Sequence, residues 1–269
     1  MAGVVDAGPV WSDATCASSL LRRDGGAPGP VRWNRLCMRY KTVFLDAGGV
    51  LVCPNWERAA QALGRHGVLV DAAVLAAAEP LVKRQLDVAA TVRATTDEQR
   101  GFLYFDLILT GAGIKRTAHT DAALAELKAF HDRENTWDFM PADVIRSLTR
   151  LKQAQLTIVV VSNTSPTLRR VFARLDIEPL IDLVIASDEE QIEKPDPRLF
   201  HIALARSGAD PGTTIHCGDL YEIDIVGARA AGLPAVLLDS AGIYHDVDCP
   251  RVASMTELAD GLLAGRFEG

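Results

Sequence analysis

The sequence predicts an α/β fold, an open parallel five-stranded sheet carrying an inserted all-helical domain. Three observations predict it. Short unbroken apolar runs recur along the chain, capped helical segments separate them, and one interval between runs is helical throughout and far too long for a single crossover.

The first run is Thr42 to Leu45, followed by Leu156 to Val161, Leu180 to Ala186, Thr213 to Cys217 and Ala235 to Leu238. Continuous apolar runs are what parallel strands covered on both faces require. The helices between them are punctuated. Ser165-Pro166 offers an N-cap and a proline at the first helical position, before Leu168, Val171, Phe172 and Leu175 at helical spacing. Asp196-Pro197 repeats that start, and Gly208 suits a left-handed helix end. Strand, helix, strand in succession implies right-handed crossovers in one sheet. The long interval, Pro54 to Trp137, reads as helices only. Trp56 to Arg65 stops at Gly67, Asp71 caps the next segment, Pro80 kinks or restarts it, and Thr95-Thr96-Asp97-Glu98-Gln99 has the form of a capping box. The predicted layout is a sheet domain over 39–54 and 138–269 and a helical cap over 55–137. One further helix is expected at Ser254 to Leu263.

Residues 1–38 read differently. They lack periodicity, and Arg22-Arg23-Asp24-Gly25-Gly26 before Pro28-Gly29-Pro30 predicts a disordered extension. Asp6, Pro9 and Asp13 interrupt any signal-peptide core, and Met38 is the expected start of the natural chain.

The chain has 269 residues, 48% hydrophobic and 23% charged, with a net charge of -7. That balance argues against nucleic acid or an anionic membrane as a general partner. No apolar run approaches the roughly 20 residues of a spanning helix. Cys16, Cys37, Cys53, Cys217 and Cys249 are scattered without paired spacing, so neither a disulfide framework nor a zinc site is expected, and a cytoplasmic setting is. Cys53 and Cys217 read as small hydrophobes.

In open parallel sheets the ligand site lies beyond the carboxyl ends of the strands. The first strand ends at Asp46, the second at Ser162 and the fourth at Gly218-Asp219, and Lys194 sits in the loop before the Asp196-capped helix. Singly, each of these is an ordinary turn, cap or surface residue. In this order on one sheet they form a constellation. Asp46, Asp219 and Asp224 would converge at one edge, where three close carboxylates require a cation, and all-oxygen ligation suits Mg²⁺.

The segments FLDAGGVL (Phe44 to Leu51), VVSN (Val160 to Asn163), EKPDP (Glu193 to Pro197) and GDLYEID (Gly218 to Asp224) resemble the four motifs of the haloacid dehalogenase superfamily. The resemblance covers about Lys41 to Ser240, and the helical interval resembles the family's cap. It implies a Rossmann-like core and a Mg²⁺-dependent phosphatase acting on a small phosphorylated metabolite. By the same resemblance Asp46 is the nucleophile that forms an aspartyl-phosphate, and Lys194 neutralises the phosphoryl oxygens. Ser162 and Asn163 hold the phosphoryl group. The carboxylates of Asp46 and Asp219 and the backbone carbonyl of Gly48 ligate the metal, with Asp224 bound directly or through water.

One position departs from the pattern. Most phosphatases of the family carry a second aspartate two positions after the nucleophile as general acid/base, and here that position is Gly48. Such a group is worth ~10²–10⁴ in rate, about 3 to 5 kcal/mol of barrier. Its loss matters least for leaving groups stable as anions, such as acyl, anomeric sugar or activated aryl phosphates. Glu57 or His66 could substitute from the flap or cap. Three other readings stay open. A haloacid dehalogenase would usually lack Asp219. A phosphonate hydrolase would need a cap lysine, with Lys83, Lys115 and Lys128 available. A non-catalytic phosphate- and metal-binding protein is the third. The stripe Phe102, Phe105, Ile108 and Leu109 either lines a pocket or forms the cap's own core.

Overall fold

The computed structural model describes residues 38–267. The expectations for residues 1–37 lie outside the described residues.

Strand β1 (Thr42–Leu45) leads into five helices, α1 (Trp56–Arg65), α2 (Ala72–Leu86), α3 (Ala89–Ala94), α4 (Asp97–Gly111) and α5 (Ala118–Glu134). The remainder alternates: α6 (Val144–Gln153), β2 (Thr157–Ser162), α7 (Thr167–Arg174), β3 (Leu183–Ala186), α8 (Ser187–Glu190), α9 (Pro197–Ser207) and β4 (Thr214–Gly218). It closes with α10 (Val226–Ala230), β5 (Ala235–Leu238), β6 (Arg251–Val252) and α11 (Met255–Leu263). The sheet order is β3-β2-β1-β4-β5-β6, with every pairing parallel. From β1 the chain builds outward first through β2 and then, on the other side, through β4. The β1/β4 boundary is therefore the topological switch point, where such sheets bind ligands.

Alternation along the strands sends side chains to two faces. In β2, Ile158 and Val160 join one apolar cluster with Leu148, Leu151 and Phe172, and Val159 and Val161 join another with Leu199, Phe200 and Ala228. Burial on both faces is why the strands read as unbroken apolar runs. The helical insertion has a core of its own, built on Leu63, Leu75, Val82, Ile108 and Leu127. Where the chain enters and leaves it, Cys53 and Phe139 form an antiparallel bridge, their amides donating to each other's carbonyls at 2.7 and 3.2 Å.

Helix starts follow the sequence signals. Asp71 accepts from the Ala73 amide, Thr96 forms the capping box with Gln99, and Asp196 caps α9, with Pro197 as its first residue and Gly208 closing it at φ 65°. Three details differ. The sheet gains a sixth strand, β6, whose two residues (Arg251 exposed, Val252 buried) are too few to leave an apolar run. The third strand begins later than its run, because Glu178–Leu180 form a 3₁₀ turn first. Pro166 itself occupies the cap position of α7. Of the two expectations for Pro80, the restart is excluded, because α2 runs through it as one helix. Among the described residues, no helix is long and apolar enough to cross a membrane.

Candidate active site

Four strand-end loops meet at the switch point around a cavity of about 1450 Å³, whose opposite wall is the helical insertion. Asp46 extends β1 by one residue, its amide donating to the Cys217 carbonyl of β4 at 2.9 Å. Gly49 turns the chain back with φ at +71°, and a Cβ there would collide with the Asp219 carboxylate. At Gly218 a Cβ would meet Asp224 in the same way, so both glycines let backbone pass against a carboxylate.

The structure brings Asp46, Asp219 and Asp224 together. Each is buried, and each offers a ligand atom within 4.8 Å of the others. Lys194 is 1% exposed, with Nζ 2.5 Å from Asp224 Oδ1 and 2.8 Å from Asp46 Oδ1. Burial opposes its charge, but the Asp224 and Asp46 carboxylates outweigh burial and raise its pKa. Oδ1 of Asp46 accepts no hydrogen bond and meets Lys194 only as an ion pair.

Asp224 is the best satisfied of the three. Its Oδ1 accepts from Lys194 and stands 3.1 Å from His216 Nε2, and its Oδ2 accepts from the Asp219 and Leu220 amides at 3.1 Å each. Burial works to raise its pKa, but Lys194 and His216 hold it well below the usual carboxylate range. Asp219 differs. Burial pushes its pKa up to about 7, with Asp46 and Asp224 adding to the rise and Lys83 opposing it.

Ser162 ends β2, buried and lining the cavity. Asn163 also lines it, but both ends of its amide clamp the backbone of Lys194: Oδ1 accepts from the Lys194 amide at 2.7 Å, and Nδ2 donates to its carbonyl at 3.0 Å. The geometry makes Asn163 a support for Lys194 where the sequence suggested a phosphoryl contact. Glu57 and His66, the suggested substitutes for a general acid/base, are absent from the cavity lining. Glu57 is exposed, and His66 stands 3.0 Å from Glu126.

Four further residues stand at the site, of which only Lys83 is among the sequence candidates, as a lysine that a phosphonate hydrolase would need. Lys83 of α2 reaches across from the insertion to pair with Asp219. Asp87, just beyond α2, is 2% exposed and accepts from the Tyr221 amide at 2.6 Å, the Glu222 amide at 2.8 Å and the Tyr244 hydroxyl at 2.6 Å. Trp137 lies against Gly48, its ring 3.6 Å from where a Gly48 Cβ would stand. His216, inside β4, backs Asp224. Cys53 sits nearby, its thiol pushed up to about 12, chiefly by burial.

The carboxylate set fits a hard divalent cation. Asp46 keeps a buried oxygen without a hydrogen bond, and Asp219 draws a lysine from the insertion to balance its charge. Lone buried carboxylates in this density need such compensation.

Comparison with known proteins agrees with this architecture. The chain is 32% identical over 128 residues to the bovine (Bos taurus) haloacid dehalogenase-like hydrolase domain-containing protein 3, covering 47% of this chain and 50% of that protein. It is 30% identical over 146 residues to a glyceraldehyde 3-phosphate phosphatase of Methanopyrus kandleri, covering 54% of this chain and 61% of that one. The matches thus span half to three-fifths of these relatives' lengths. The fold superposes with a TM-score of 0.61 on Bacillus subtilis YfnB, described as a HAD-hydrolase bound to magnesium, over 83% of this chain and 99% of that one at 16% identity. A sequence model of the haloacid dehalogenase-like hydrolases matches residues 40–232, most of the described chain and all four strand-end loops. The chain belongs to the haloacid dehalogenase-like hydrolase family.

Proposed function

We propose that the protein is a Mg²⁺-dependent phosphatase of a small phosphorylated metabolite, working through an aspartyl-phosphate on Asp46. The observation that carries this reading is the Asp46 carboxylate itself. It is buried at the switch point, and its Oδ1 meets only the Lys194 ammonium, at 2.8 Å. The likeness to a glyceraldehyde 3-phosphate phosphatase supports the same reaction type.

Asp46, Asp219 and the Gly48 carbonyl would hold the metal. Asp224 joins them only by exchanging one of its four present contacts, so its larger role is to anchor Lys194. When bound, Mg²⁺ supplies positive charge to the carboxylates and the phosphoryl oxygens. Asp46 attacks phosphorus in line and becomes phosphorylated. Lys194, fixed by Asn163 and Asp224, neutralises the equatorial oxygens, and the Ser162 hydroxyl donates to one of them. Water then displaces the aspartate and releases phosphate.

Among the alternatives, the phosphonate hydrolase gains one contact, Lys83 on Asp219. That ion pair favours the ammonium form of Lys83, the wrong state for attack on a carbonyl. Asp219 argues against a haloacid dehalogenase. Assay against acyl, sugar 1- and alkyl phosphates with Mg²⁺ or EDTA, alongside Asp46→Asn, tests the proposal. Metal-dependent phosphate release abolished in the variant is expected. No turnover on any class, with phosphate still bound, would support the non-catalytic reading.

A further inference from the structure

We infer that the substrate of this site is an aryl phosphate, and that Trp137 is the residue that selects its planar leaving group. The inference rests on the phosphatase reading above and names the substrate class within it.

Two independent observations lead there. The first is chemical. In-line attack by Asp46 points the leaving group away from the carboxylate into the cavity, and no acid stands at Gly48 to protonate it. Among the described residues, chain neighbours aside, the only side chain within 4 Å of a Cβ built at Gly48 is the Trp137 indole, with Cδ1 at 3.6 Å and Nε1 at 3.7 Å. An indole N–H donates a hydrogen bond but transfers no proton at neutral pH. Glu79, Asp97, His131 and Glu193 also line the cavity, and none of them comes within 4 Å of a Cβ built at Gly48. Glu79 accepts from Tyr104 at 2.9 Å and Trp56 at 3.2 Å, and Asp97 from Arg100 at 3.3 Å. With no acid at the Gly48 position, the leaving group departs best as an anion, which suits a phenolate better than a simple alkoxide.

The second observation is shape. The insertion's wall beside Gly48 is aromatic. The Trp137 ring lies 5.6 Å from Tyr104 and 5.8 Å from Phe105, centroid to centroid, and Phe102 stands 52% exposed at the rim. The Trp137 backbone is pinned by its amide donating to Asn135 Oδ1 at 2.9 Å. Among the described residues its indole N–H meets no protein acceptor, so it is free to donate to a phenolic oxygen. A flat ring placed there stacks on a preformed surface.

The chemistry balances without a further reactant. An Asp46 oxygen bonds to phosphorus as the phosphorus–oxygen bond to the aryl group breaks, and that electron pair leaves with the phenolate, which takes its proton from water. A second water then attacks phosphorus, giving inorganic phosphate and restoring Asp46.

The test compares an aryl phosphate with a fluorinated alkyl phosphate of matched leaving-group acidity, which separates ring recognition from leaving-group stability. The wild type is expected to favour the aryl ester by about two- to twelvefold in kcat/KM, the range of one aromatic stack. Trp137→Ala should bring that ratio toward one. Trp137→Phe, which keeps a ring and loses the N–H, should retain part of it. Equal kcat/KM for the two esters in the wild type overturns the inference, as does an unchanged ratio in a folded Trp137→Ala. Calorimetric binding of both esters to Asp46→Asn gives a readout free of turnover. Preferential aryl binding there without wild-type turnover would keep the aryl site and remove the phosphatase reading. Turnover of both esters with equal binding would do the reverse.

Discussion

Lys194→Met tests the electrostatic core of the site. The lysine is 1% exposed and lies between two carboxylates, at 2.5 Å from Asp224 and 2.8 Å from Asp46. Methionine matches its length and leaves the Asn163 clamp intact, because that clamp holds backbone atoms only. What remains is two buried anions without their shared cation. Removing one partner of a buried pair costs about 3–5 kcal/mol. Against a total stability of about 5–15 kcal/mol, that is a large share. In urea, with a slope of about 1–3 kcal/mol/M, the unfolding midpoint should fall by about 1 M or more. Asp224→Asn in the same chain removes one of the two stranded charges. The double variant should then be less destabilised than the sum of the singles, by about 0.5–3 kcal/mol. Urea unfolding in EDTA, for the wild type, both singles and the double, supplies all four numbers. A loss under about 1 kcal/mol for Lys194→Met, or strict additivity, would refute the reasoning.

Three further outcomes follow from contacts around the site. Asp87→Asn keeps one oxygen, so its N–H₂ must face at least one of the Tyr221 amide, Glu222 amide and Tyr244 hydroxyl donors, at about 1–3 kcal/mol for each donor left unsatisfied. Urea unfolding should show that loss, and a change within error would mean the three hydrogen bonds to Asp87 are not formed. Asp97 has its pKa raised from 3.8 to about 6 by burial, with Glu193 and Asp46 adding to the rise and Arg100 opposing it. A raised pKa contributes stability that is fully present below 3.8 and is lost as pH rises through about 6. Asp97→Asn should therefore flatten the stability profile in that window, and an unchanged profile would contradict the assignment. Cys53, half-buried with its thiol raised to about 12, should react with iodoacetamide at pH 8 far more slowly than a free thiol. Labelling at the free-thiol rate would contradict the burial of Cys53.

The residues legible in the sequence are those whose neighbours are local. Asp46, Ser162 and Asp219 announce themselves because each terminates or follows an apolar strand. Asp71, Thr96 and Asp196 are visible because a capping side chain meets amides two or three positions on. Asp87, Trp137 and the pairing of Lys83 with Asp219 are hidden for the opposite reason. Asp87 meets Tyr221 across 134 positions, and no local pattern encodes where a helical insertion docks on a sheet. The clamp of the Asn163 side chain on the Lys194 backbone has no local signal, since only the fold brings the two together. His216 carries a signal of its own in the sequence. A histidine inside a fully buried strand is an anomaly that calls for a buried partner, and that partner is Asp224. The helical stripe divided between its two readings: Ile108 and Leu109 enter the insertion's core, while Phe102 and Phe105 line the cavity.

The most direct test of the central claim is a rapid acid quench of a single turnover, using an aryl ester labelled on phosphorus with Mg²⁺ present, followed by mapping of the label on the protein. The account predicts transient label on Asp46, released by hydroxylamine and absent from Asp46→Asn. Phosphate released with no labelled protein at any time, or label that persists in Asp46→Asn, would contradict it.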